Sequence, residues 1–186
     1  MFPTLRFNVR GLDEKMTYAI YLDLAPLDDN RYKYATGRWT VNGRADPLPS
    51  VKGYGSRWYM HPDGPAPGAL WMRQPISFHR LKLTNNVGDP AGNVLLNSMH
   101  KYQPRLYIVR AGAFFGQPPV IEAAVAPTET QFITVTAYQN EEVIRLKVEN
   151  NPFAKGFRDN GLHSEKRRFE DDDTDRRRSI EDDHYP

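Results

Sequence analysis

The sequence predicts a mostly β domain, folded as a sandwich or a partly closed barrel, and three observations carry that expectation. Apolar and polar residues alternate over short stretches with the period of two that a half-buried strand requires. Fifteen prolines and thirteen glycines lie between these stretches and supply turns. Helical periodicity is scarce before residue 150. With 186 residues, 39% apolar and 26% charged, the chain is long enough to bury one sizeable core.

Taken in order, Leu5, Phe7 and Val9 alternate with Arg6, Asn8 and Arg10, the pattern of a strand with one buried face. Tyr18, Ile20, Leu22 and Leu24 repeat it before Pro26 and the turn-forming Asp28-Asp29-Asn30. Residues 34–41 read as the next strand, ended by Asn42-Gly43. Residues 44–69 are dense in proline and glycine and read as a long surface connection, with residues 51–58 an exposed excursion. Ile76, Phe78, Leu81 and Leu83 lead to Asn85-Asn86, and Asp89-Pro90-Ala91-Gly92-Asn93 is a turn. Leu95-Leu96 and the apolar run 105–110 bracket a buried strand. Residues 132–136 and 143–149 complete the set; in the last, Ile144, Leu146 and Val148 face inward while Arg145 and Lys147 face out.

The segment Asn150-Asn151-Pro152-Phe153-Ala154-Lys155-Gly156-Phe157-Arg158 differs from everything before it. Asn151 suits an N-cap, and Pro152 suits the first helical position, where its missing N–H costs nothing. Phe153 and Phe157 then share one face, with Lys155 and Arg158 beside them. Two readings follow. The phenylalanines pack a terminal amphipathic helix onto its own domain, or they are apolar wedges flanked by cations, as entry into a DNA minor groove requires. Gly156 costs roughly 1 kcal/mol relative to alanine inside a helix, yet permits close approach to a sugar-phosphate wall or a tight 3₁₀ turn. Residues 136–140 (Thr136, Ala137, Tyr138, Gln139, Asn140) offer a hydroxyl, a phenol and two amides, neutral donors able to reach phosphate oxygens. They equally suit a half-buried tyrosine followed by a turn.

Composition sets further bounds. No apolar run reaches the eighteen residues of a membrane span, and no basic stretch leads into an apolar one as in a secretory signal. With no cysteine, disulfides and cysteine-based metal sites are excluded. The five histidines lack metal-ligand spacing, and His100 reads as a packed or hydrogen-bonded residue. There is no nucleophile elbow or phosphate-cradling glycine loop, and Asp28-Asp29 and Asp171-Asp172-Asp173 belong to a turn and a tail; no enzyme, cofactor or small-molecule substrate is expected. The net charge of +2 hides an asymmetry: residues 1–160 hold nineteen basic and fourteen acidic side chains, residues 161–186 six and nine. A moderately basic domain suits a polyanion without demanding one. Residues 161–186 are so poor in apolar side chains that they read as a disordered mixed-charge tail, which sets domain boundaries of 1–160 and 161–186. Lys166-Arg167-Arg168 and Arg176-Arg177-Arg178 within it fit either a bipartite nuclear-import signal or a solvated tail.

Residues 150–158 resemble the carboxy-terminal signature of the T-box DNA-binding domain. In the order of that family, seven more stretches resemble its motifs: Met1-Phe2-Pro3-Thr4-Leu5, Tyr32-Lys33-Tyr34, Tyr59-Met60-His61-Pro62-Asp63, Trp71-Met72-Arg73, Lys82-Leu83-Thr84-Asn85, residues 96–105 (Leu-Asn-Ser-Met-His-Lys-Tyr-Gln-Pro-Arg) and residues 136–142 (Thr-Ala-Tyr-Gln-Asn-Glu-Glu). The resemblance covers residues 1 to about 159, and residues 136–142 are most like the Brachyury branch. It implies an immunoglobulin-like β-barrel with short helices, the last carrying the phenylalanine pair. It also implies a nuclear transcription factor domain that binds double-stranded DNA at a T-site-like element, with a weak homodimer on palindromic sites as a further possibility.

The same resemblance assigns the DNA face. Phe153 and Phe157 enter the minor groove with Ala154, Lys155 and Arg158 beside them, and Thr136, Tyr138, Gln139 and Asn140 meet the backbone. Arg73, Lys82, Asn86, Lys101 and Arg105 lie in matching motifs and extend that face, although Lys82 and Lys101 also suit plain surface charges and Arg105 an internal pair. T-box domains carry a basic pair just before the segment resembling Met1-Phe2-Pro3, one arginine of which enters the major groove. An arginine–guanine contact is worth about 1–3 kcal/mol of discrimination, so the chain as it begins here is expected to bind more weakly and less selectively. The competing expectation is a β-sandwich module that binds carbohydrate or protein, with Trp39, Trp58 and Trp71 stacking on sugars.

Overall fold

The computed structural model describes residues 1–47, 57–111, 118–151 and 154. It falls into two units, residues 1–139 and 140–186. Among the described residues the first unit holds eleven strands, one short α-helix and a 3₁₀ turn at Thr128–Thr130: β1 (Arg6–Phe7), β2 (Thr17–Ala35), β3 (Arg38–Arg44), β4 (Trp58–Met60), β5 (Ala66–Pro67), α1 (Gly68–Arg73), β6 (Ile76–Ser77), β7 (Leu83–Thr84), β8 (Val94–Leu95), β9 (His100–Arg110), β10 (Val120–Val125) and β11 (Phe132–Ile133).

The main sheet runs β10-β9-β2-β3, with β4 and β5 also paired to β2 and β11 to β9. Its pairings are antiparallel, and β2 lies against β9 from Tyr18↔Arg110 to Pro26↔Tyr102. Two smaller pairs, antiparallel β1–β6 and parallel β7–β8, complete the strands. The alternation in the sequence decides which face is buried: Tyr18, Ile20, Leu22 and Leu24 of β2 and Tyr102, Leu106 and Ile108 of β9 enter the core. There they share one cluster with Trp71, Ile76, Phe78, Leu81, Val94 and Leu96, while Leu5, Phe7 and Val9 pack half-buried against it. The mostly β, sandwich-like architecture is thus as expected, but the barrel is not closed. Among the described residues β10 and β3 end the hydrogen-bonded path.

Three local expectations are corrected. Asp28-Asp29-Asn30 is not a turn; β2 continues through it, with register irregularities between Pro26 and Arg31 and between Asn30 and Tyr32. The reversal instead falls at Thr36-Gly37, both at positive φ (49° and 77°), inside the stretch 34–41 that reads as one strand. Two successive positive-φ residues make the hairpin turn whose twist matches that of the flanking strands. Residues 44–69 are not merely surface: β4 and β5 pair with β2, the His61 N–H donates to the Ile20 carbonyl at 2.8 Å, and His61 and Ala66 are buried. Residues 51–56 of the expected excursion lie outside the described residues.

The second unit also departs from the expected strand. Residues 143–149 are not a strand but part of helix α2 (Glu141–Asn150). Asn140 caps it, its Oδ1 accepting from the Glu142 and Val143 N–H groups at 2.8 and 3.3 Å. Glu141 and Glu142 occupy the first turn, where the helix dipole favours acids. These end signals outweigh an alternation of only three apolar residues. Val143, Ile144 and Leu146 are exposed and Val148 is half-buried, so among the described residues Ile144 and Leu146 do not form the inward-facing stripe expected with Val148.

Candidate nucleic-acid interface

Arg73, Lys82 and Asn86, expected at the DNA face, sit on or beside short elements held by buried anchors. Arg73 is the exposed last residue of α1. Two residues before it, the Trp71 indole is buried and its Nε1–H is shared between the carbonyls of Tyr18 (2.9 Å) and Ala66 (3.1 Å). His61 stands edge-on to Trp71 and Phe78, ring centroids 5.2 and 5.3 Å away. At the start of α1, Gly68 comes so close to the Asp13 carbonyl that a Cβ would lie 2.2 Å from its oxygen.

Lys82 and Asn86 flank β7 and are both exposed. The Lys82 carbonyl accepts from Val94 N–H at 3.0 Å, which ties its backbone to the neighbouring strand between the buried Leu81 and Val94. Asn86 closes a tight turn, its N–H donating to Thr84 Oγ1 and its Oδ1 accepting from Gly88 N–H. The expected turn at 89–93 is present: Asp89 Oδ1 accepts from Ala91 N–H at 2.9 Å, and Asn93 Nδ2 donates to Oδ2 at 2.7 Å. Chiefly the Ala91 bond, then that of Asn93 and the charge of Lys82 nearby, hold the Asp89 carboxyl below its usual range. Part of the positive field of Lys82 is therefore met by this acid.

Lys101 and Arg105 alternate on β9 with the buried Tyr102, Pro104 and Leu106, so both lie on the face away from the core. Each has a local partner. Lys101 Nζ stands 4.5 Å from the centre of the Tyr32 ring and 4.0 Å from Asp28 Oδ2. Arg105 pairs in register with Asp23, a buried carboxylate whose Oδ1 lies 2.9 Å from Arg57 Nε. That contact is an ion pair by distance but leaves Oδ1 without a well-aimed hydrogen bond. Burial raises the Asp23 pKa, and the charges of Arg57 and Arg105 oppose the rise only in part.

Residues 136–139 follow β11 through an anchored bend. Thr134 exchanges backbone bonds with Met99 and His100 at 2.7 and 3.0 Å, and its Oγ1 reaches the carbonyls of Asn97 (2.5 Å) and His100 (3.1 Å). Met99 takes φ 65° to make this possible. His100 is buried and hydrogen-bonded, as expected: Nε2 accepts from Asp46 N–H at 2.8 Å, which leaves Nδ1 to carry the proton toward Ser98 O at 2.8 Å. Beyond this platform Thr136, Tyr138 and Gln139 are exposed, and Gln139 Nε2 donates to Ala137 O at 3.2 Å. Asn140 begins the second unit, where it has the capping role described above, a role the sequence pattern Asn140-Glu141-Glu142 announces and the β alternation concealed.

Asn151 closes α2, its N–H donating to Lys147 O at 2.9 Å, and its carbonyl accepts from Ala154 N–H at 3.0 Å. Ala154 is buried. Phe153, Lys155, Phe157 and Arg158 lie outside the described residues.

The model of one family, the T-box, matches residues 1–159. The chain belongs to the T-box family. Among its relatives are the proteins described as T-box transcription factor TBX5 from Xenopus laevis, Rattus norvegicus and Homo sapiens, each 52% identical over 160 residues. Those alignments cover 85% of this chain and 30% of each relative, so the chain spans less than a third of the T-box proteins it matches. The likeness of residues 136–142 to the Brachyury branch rests on that heptapeptide alone. The competing module reading loses one of its three supports, since Trp71 is a core residue of the T-box fold; Trp58 (43% exposed) packs against Tyr21 and Tyr107, and Trp39 (36%) against Tyr34.

Proposed function

We propose that this chain is the sequence-specific DNA-binding domain of a nuclear transcription factor that regulates RNA polymerase II genes. One observation carries the reading: the T-box match extends over residues 1–159, taking in both the β platform and the segment 150–158. Residues 1–160 act as the binding domain and residues 161–186 as a mixed-charge tail. The ligand is a duplex carrying a T-site-like element. Thr136, Tyr138, Gln139 and Asn140 contact its backbone, and Arg73, Lys82, Asn86, Lys101 and Arg105 line the same face, with no catalytic step. Phe153 and Phe157 press into the minor groove, where the benzyl groups displace water from sugar and base edges, and Lys155, Arg158 and Ala154 lie against its walls. On a palindromic site two copies bind side by side as a weak homodimer.

A gel-shift comparing the wild-type chain with Phe153→Ala/Phe157→Ala on a T-site duplex tests the wedge, with circular dichroism to check folding. The double variant is expected to remain folded and to lose most of its affinity. Undiminished binding by a folded double variant sinks the assignment.

A further inference from the structure

At its far end β2 parts from β9 and continues with β3 as a two-stranded arm. Residues 30–44 carry Arg31, Lys33, Arg38 and Arg44 and not one acid. Among the described residues only Arg31 stands within ion-pair distance of a carboxylate, Asp46 Oδ2 at 3.5 Å. The cross-strand pairs sort the side chains by face. Tyr32↔Val41 and Tyr34↔Trp39 lie on one side, with the two rings of the second pair 5.3 Å apart; Lys33↔Thr40 and Ala35↔Arg38 lie on the other. Val41 is 56% exposed and Trp39 36%. Among the described residues β3 pairs only with β2, so alternate N–H and C=O groups along its outer side face away from the sheet.

We propose that β3 is a docking edge for an extended, acidic segment of a partner protein, which adds to the sheet as a further strand. Backbone groups of the edge supply the affinity common to strand addition, and the two faces supply the selection. A partner strand with aliphatic residues at alternate positions covers Trp39 and Val41 on one face. Carboxylates at the positions between them meet Arg38 and Lys33 on the other. A second copy of this chain is a poor occupant, because antiparallel pairing centred on Val41 sets Arg38 against Arg44 in both halves. A nucleic acid would meet the cations but leave the edge amides and the Trp39–Val41 face unused.

The test uses the whole chain and a fluorescein-labelled ten-residue peptide alternating glutamate with valine, followed by anisotropy. Saturable binding is expected, weakened at least tenfold in Arg38→Glu/Lys33→Glu. It should be weakened as much when the peptide amides that face the edge are N-methylated, and absent when lysine replaces glutamate. The peptide changes leave the protein untouched, so they decide the matter even if the double variant folds poorly. No binding by the glutamate peptide, or equal binding by the N-methylated or lysine peptide, overturns the proposal. So does a folded double variant that binds the peptide as before but has lost affinity for duplex DNA, which would make the arm a nucleic-acid contact.

Discussion

Asn140 is asked to do two things, and substitutions can separate them. As the cap of α2 it holds two N–H groups through Oδ1, and Asn140→Ala should cost about 1 kcal/mol of stability in urea unfolding. Asn140→Asp keeps the cap oxygen and should leave stability nearly unchanged, yet it places a negative charge where the proposed interface meets phosphate. Weaker duplex binding by a stable Asn140→Asp chain is expected; unchanged affinity would confine Asn140 to capping. Asp23 gives a prediction about pH. Its folded-state pKa is raised, chiefly by burial, so the ionised form is disfavoured in the folded state above that pKa. The cost is relieved as pH falls through the folded value toward the lower unfolded one. Between about pH 7 and about pH 4, the stability difference should therefore drift in favour of wild type over Asp23→Asn. Urea unfolding of both proteins at the two pH values measures the drift, and movement the other way would rule the argument out.

Among the elements, the contact at Gly68 makes the sharpest prediction. A methyl group there would sit 2.2 Å from the Asp13 carbonyl oxygen and 3.0 Å from Leu12 Cβ. Backbone cannot swing aside as a side chain can, so Gly68→Ala should destabilise the fold by about 1–3 kcal/mol. Gly88→Ala, whose nearest neighbour is the Asn86 side chain at 3.6 Å, serves as a control expected to be close to neutral. No sequence pattern discloses the Gly68 contact, because its partner lies fifty-five residues away in the chain. Other features were legible because they depend on local spacing: the buried row Tyr18, Ile20, Leu22, Leu24 follows from period two, and the turn at 89–93 from its Asp-Pro-Ala-Gly-Asn composition. The hairpin at Thr36-Gly37 was hidden because threonine is a poor turn marker and stronger ones stood nearby at 28–30. Short β4 and β5 were hidden because two or three residues cannot show an alternation. At the candidate interface, residue types could be read from the T-box motifs. The partners of Lys101 on Asp28 and Tyr32 could not, since strand pairing alone brings them together.

For the molecule as a whole, net charge limits how strongly it can attract a polyanion. Residues 1–160 carry five more cations than acids, too few for strong non-specific attraction, so duplex affinity should depend on a limited number of phosphate contacts. Each neutralised phosphate contributes about −0.9 to the slope of log K against log salt concentration. Anisotropy titrations over a range of potassium chloride concentrations give that slope for wild type and for single variants. Arg73→Gln and Lys82→Gln are each expected to flatten it by about one. Lys101→Gln and Arg105→Gln are the informative comparison, because Lys101 already has Asp28 beside it and the charge of Arg105 already acts on Asp23. If binding draws them onto phosphate, their slopes flatten as well, and the freed acids lower overall affinity. If they stay with their local partners, the slopes match wild type and only folding stability changes. A slope near zero for the wild-type chain would mean that no phosphates are neutralised, and duplex DNA would cease to be its ligand.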